Sequence, residues 1–132
     1  MPTVTNTALT LTTVNSNTTV TVDFDTEFSE VERNLTGLGV RYHPHIDIVG
    51  VDGATQTVLS ADAFPHSNFA VTVGTTPQTI SRSMSVTVPR ATLQEDSGGD
   101  EDEILCNIRI HSDGLPVPFT ENVASPQRVL LG

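Results

Sequence analysis

The chain has 132 residues, sixteen of them acidic and six basic, for a formal net charge of −10, and every basic residue is arginine. That length fits one domain, residues 1–132, with room for a core that needs no disulfide support. The charge argues against nucleic acid and anionic membranes as partners, because Arg33, Arg41, Arg82, Arg90, Arg109 and Arg128 stand singly and form no basic stripe.

Residues 4–13 open the chain as a threonine-rich strand that ends at an Asn15-Ser16-Asn17 turn. In 18–28, TTVTVDFDTEF, the positions Val20, Val22, Phe24, Thr26 and Phe28 share one face, and Thr21, Asp23, Asp25 and Glu27 share the other. This period of two predicts a strand buried on one side only. The next stretch, SEVERNLTGLG, breaks the period. Ser29 and Glu32 have capping-box spacing, Val31 and Leu35 lie one helical turn apart, and Gly37 can end the helix, so a short helical turn is expected near 30–36.

Further strands are expected at 39–42, 45–51, 56–60 and 68–73, with turns at Asp52-Gly53 and from Gly74 to Pro77. Residues 79–88, TISRSMSVTV, return to strict alternation, with Ile80, Met84, Val86 and Val88 on one face and Ser81, Ser83, Ser85 and Thr87 on the other. Arg82 falls on the apolar face, where a guanidinium needs a carboxylate partner or an edge location. Strands at 103–111 and 127–131 complete the chain, with Ser97-Gly98-Gly99 and Asp113-Gly114 as turns. The pattern predicts an all-β protein, an antiparallel sandwich of about eight strands, Ig-like or jelly-roll-like.

Two stretches could carry metal chemistry. In YHPHID, residues 42–47, His43, His45 and Asp47 alternate on one face of a strand, and His111 is available as a distant third imidazole. The spacing resembles the H-x-H of the cupin motif, which implies a small His-metal enzyme. Val49 and Gly50 stand where that motif places a Glu, and SDGLPVP after His111 does not resemble its second half. Pro44 withholds a ladder hydrogen bond, so the two histidines are expected to flank a bend with at least one ring in solvent, titrating independently near about 6.5. The second stretch is the acidic run EDSGGDEDE, residues 95–103, where Asp96, Asp100, Asp102 and Glu103 offer oxygen ligands to a weakly bound Ca2+. No other cofactor is expected.

Nucleophilic catalysis has no support: the chain lacks a G-x-S-x-G elbow, a phosphate-binding loop and a dinucleotide fingerprint. Its one cysteine, Cys106, lies in the apolar run ILCNIRI and reads as a buried structural thiol. The leading expectation is therefore a non-enzymatic structural or assembly module. Its strand edges or hydroxyl-rich faces would join it to further copies, or to other protein subunits, in an oligomer, fibre, shell or particle. A carbohydrate- or Ca2+-binding module is the alternative, although zero Trp and one Tyr leave little for a sugar to stack on. No signal peptide or membrane-spanning run is visible, so a soluble protein is expected, cytoplasmic or part of an assembled particle.

Overall fold

The two-residue periodicity becomes two antiparallel sheets. The computed structural model describes residues 2–52, 55–93, 102–114, 123–126 and 128–130. Its strands are β1 (Thr3–Val14), β2 (Asn17–Phe28), β3 (Arg41–Asp52), β4 (Thr55–Ser60), β5 (Gln78–Pro89), β6 (Asp102–Asp113), β7 (Val123–Ala124) and β8 (Arg128–Leu130). One sheet has the order β1-β2-β5; the other runs β4-β3-β6-β7, with β8 also paired to β6. The result is a sandwich-like all-β fold.

The even-numbered side chains of three strands fill the space between the sheets. Val20, Val22, Phe24 and Phe28 of β2 meet Tyr42, Ile46 and Ile48 of β3 and Ile104, Cys106, Ile108 and Ile110 of β6 in one cluster. Phe28 joins the layers most directly, with its ring centroid 5.1 Å from that of Tyr42 and 5.3 Å from that of Phe69. A strand's side chains alternate between faces, so placing Ile46 and Ile48 inside forces His43, His45 and Asp47 outside. The same rule places Asn107, Arg109, His111 and Asp113 of β6 on that outer face.

Between the sheets, Ser29 and Glu32 close the expected capping box: the Ser29 hydroxyl accepts from Glu32 N–H, and Ser29 N–H donates to Glu32 Oε1 at 2.9 Å. The helix α1 (Glu30–Leu35) passes into a 3-10 turn, Thr36–Leu38. Gly39, not Gly37, ends it, because the left-handed conformation (φ 98°) falls at Gly39. A four-residue helix, α2 (Arg90–Leu93), follows β5 and buries Leu93. None of these helices is long and apolar enough to cross a membrane.

Two strand expectations are revised. The strands expected at 39–42 and 45–51 are one strand, β3, which begins at Arg41, leaves Gly39 and Val40 outside, and pairs with β6 without a break from Arg41↔Asp113 through Pro44↔Ile110 to Val51↔Glu103. The N–H and C=O of a strand residue point to the same side, and the carbonyls of Tyr42 and Ile46 point away from β6, toward residues 61–70. By alternation Pro44's missing donor faces that way too, beyond the end of β4, so the ladder to β6 loses nothing.

Residues 68–73 are not a strand. They belong to a strap that follows β4 along β3, touching its backbone through Ala63 N–H to Ile46 O (2.9 Å) and Phe69 N–H to Tyr42 O (2.8 Å). Phe64 and Phe69 anchor the strap in the core, which ties it down without a continuous ladder. Arg82 reaches the same strap from β5, an edge strand, as its apolar position required. Its guanidinium donates to the carbonyls of Ser67 (2.6 Å) and Asn68 (3.1 Å) and lies 4.1 Å from the Phe69 ring centroid. Of the two expected alternatives, the edge location is the one found, and there carbonyls and a π face partner the guanidinium.

Candidate metal centre

All four histidines of the chain meet on the outer face of the second sheet. His43 and His45 come from β3, and His111 is the residue directly opposite His43 on β6. His66 comes from the strap. The ring centroids of His43 lie 4.9 Å from His45, 5.0 Å from His66 and 4.8 Å from His111, and His45 and His66 are 4.1 Å apart. Strand alternation and the β3–β6 register align the first three; the strap adds the fourth.

The strap is placed by Asp47, the third polar residue of YHPHID. Its carboxylate accepts the Asp62 N–H at 2.7 Å, at a residue with φ of 51°. Asp tolerates this left-handed conformation better than most residues, so the chain can turn there. The turn aims the Asp62 carboxylate at two rings: it lies 3.3 Å from His45 Nδ1 and 2.6 Å from His66 Nε2. Asp113, at the end of β6, does the same on the far side, 3.6 Å from His43 Nδ1 and 3.0 Å from His111 Nδ1.

The facing nitrogens set the chemistry. His43 Nε2 and His45 Nε2 are 3.0 Å apart. Two imidazole nitrogens bound tetrahedrally to one ion at about 2.05 Å would stand ~3.3 Å apart, so a few tenths of an ångström would seat both. One ligand atom each from His43, His45 and His66 fall within 4.8 Å of one another, and so do those from His43, His111 and Asp113. His45 Nδ1 against a carboxylate leaves Nε2 as its inward lone pair, the arrangement that orients metal-binding imidazoles.

Shelter distinguishes these rings from ordinary surface histidines. The side chains of His43 and His45 are only 11% and 16% exposed, so neither ring turns to solvent across a bend as expected from Pro44. Nor do they titrate as independent surface groups. Burial holds both below the ordinary histidine value, against the opposing pull of Asp113 on His43 and of Asp62 on His45, while the neighbouring imidazoles lower both further. A neutral imidazole is the form that offers a lone pair to a cation.

The sequence named three of these histidines and missed His66 and Asp62. Nothing in SADAFPHSN has a period that would connect it to β3, and only the strap's path does so. Of the acidic run, Asp96 and Asp100 lie outside the described residues, Asp102 opens β6, and Glu103 is exposed on β6 opposite Val51. Cys106 is buried, and burial pushes its thiol up to about 12, which suits a structural role. Comparison with protein-family models, curated proteins and solved structures gives no match, so the reading of this centre rests on its own geometry.

Proposed function

We propose that the protein is a non-catalytic β-sandwich module that binds a divalent transition ion through His43, His45 and His66. The convergence of every histidine of the chain on one sheltered face carries this reading. Imidazole nitrogens favour Zn2+, Cu2+ or Ni2+ over the hard cations that oxygen ligands prefer. The Asp62 carboxylate, on His45 Nδ1 and His66 Nε2, would orient two of the three rings.

A binding role is preferred to an enzymatic one because the geometry present is that of ion ligands, with a carboxylate holding two of the rings. A groove of about 530 Å³ lies beside Thr36, Arg41, Tyr42 and Phe69, and none of the four histidines borders it. A carbohydrate ligand loses support as well, since the single tyrosine, Tyr42, is buried. Loading the purified chain with Zn2+ and dialysing it should leave bound zinc at stoichiometric level. A chain that loses Zn2+, Cu2+ and Ni2+ alike on dialysis at neutral pH overturns the proposal.

A second reading, association of copies through the first sheet, is favoured by that sheet's outer face. Its hydroxyls pair across strands, Thr19 with Thr87 at 3.0 Å and Thr21 with Ser85 at 2.8 Å, giving a hydroxyl-rich surface. Light scattering across a concentration series tests it: a monomer throughout removes it.

A further inference from the structure

We infer that the imidazole face holds two ions rather than one, with His43 shared between them through its opposite ring nitrogens. The inference rests on the proposed metal-binding role and adds what that role leaves unused, His111 and Asp113. His43 belongs to both ligand sets, one with His45 and His66 and the other with His111 and Asp113. Its two nitrogens divide between them. Nε2 faces His45 Nε2 at 3.0 Å, whereas Nδ1 faces Asp113 Oδ2 at 3.6 Å.

The second set is compact on its own terms. His111 Nδ1 stands 3.0 Å from Asp113 Oδ1, and His111 is paired directly with His43 across the β3–β6 ladder. Separations of 3.0 and 3.6 Å bracket the ~3.3 Å expected between ligands of one tetrahedral ion at about 2.05 Å. Two imidazoles and a carboxylate form a mixed nitrogen and oxygen set suited to Zn2+ or Cu2+. The His43 ring is planar and stiff and sits on a central strand, so its two nitrogens cannot both turn toward one ion. A ring coordinated at both nitrogens is an imidazolate: its single N–H proton passes to solvent when the second ion binds, and no electron is transferred.

The competing role for Asp113 is to orient His43 and His111 by hydrogen bonds around a single ion, and counting ions separates the two. The probe is Cu2+ added to the full chain, with metal per chain measured after dialysis and the paramagnetic resonance signal recorded at half and full loading. Two copper ions per chain are expected, with a full-loading signal weaker than twice the half-loading one, because ions joined through one ring couple magnetically. Asp113→Asn and His111→Gln should each reduce the count to one. Both side chains are partly solvent-exposed, at 54% and 22%, and an unchanged thermal midpoint of each variant confirms its folding.

One copper per chain in the wild type, lost in His45→Gln, would overturn the shared-ring inference and leave the proposed function standing. So would a single ion that Asp113→Asn merely weakens, since that marks an orienting carboxylate. A second ion that survives both Asp113→Asn and His111→Gln lies elsewhere and also overturns it. No bound copper at all overturns this inference, and the proposed function falls with it only if Zn2+ and Ni2+ are lost on dialysis as well.

Discussion

The two outer faces of the sandwich are built by the same rule and end in different chemistry. On the first sheet, alternation turns Thr19, Thr21, Ser85 and Thr87 outward, where the hydroxyls bond one another beside solvent. On the second, it turns His43, His45 and His111 outward, but the strap beside β3 brings His66 and Asp62 against the first two, whose rings are nearly covered. A polar outer face is thus not a solvated one by default. Among the described residues, what separates them is a segment outside the ladder that is anchored beside the second face by Phe64 and Phe69.

The largest expected effect breaks both faces at once. Phe24 is 2% exposed between the sheets, and Phe24→Ala should cost about 3–5 kcal/mol in a denaturant titration, through lost burial and a residual cavity. Its neighbour Asp25 points outward and only accepts exposed hydrogen bonds from Asn6 and Ser81, so Asp25→Asn should change stability far less than Phe24→Ala. Equal costs would put the β2 register off by one residue and interchange inner and outer faces.

The comparison sharpens at the imidazoles. His45→Gln with His66→Gln should weaken Zn2+ binding by about a hundredfold or more in a calorimetric titration, whereas Thr19→Ala with Thr21→Ala should leave it unchanged. A smaller loss, about 10- to 100-fold, is expected for Asp62→Asn, which keeps the ligands but removes the carboxylate that orients two of them. Full affinity in Asp62→Asn would mean that the strap covers the rings without positioning them.

Acid should distinguish the faces in the metal-free protein. His43 and His45 titrate below their ordinary value when folded, because burial disfavours their charged forms. As pH falls below about 6.5 the unfolded chain takes up protons that the folded chain refuses, so stability falls with pH through that window and is fully retained above it. The denaturation midpoint should show this slope, and His43→Gln with His45→Gln should flatten it. Replacing hydroxyls on the first sheet should not.

The smallest effect lies at a flaw in the first sheet. Thr26 is buried on the core face of β2, and its hydroxyl has no hydrogen-bond partner among the described residues. Thr26→Val keeps the shape and removes an unsatisfied group, and should raise stability by about 1 kcal/mol on thermal melting. A loss of stability would show that the hydroxyl is satisfied after all.

The sequence by itself determined the faces. Period-two runs put Phe24 inside and Asp25 outside, Ser29 with Glu32 marked the helix start, and His43, His45 and Asp47 were legible as one side of a strand, because side-chain direction in a strand is a local property. Local signals misled at Pro44, whose missing donor matters only on the side where a neighbouring strand is present. Only the tertiary structure decided that β6 lies beside β3 in the register that sets His111 opposite His43, and that the strap returns His66 and Asp62 to His43 and His45. Pairing register and the path of an irregular segment depend on contacts between residues far apart in the chain. For that reason four histidines with no shared motif become one centre only after the chain has folded.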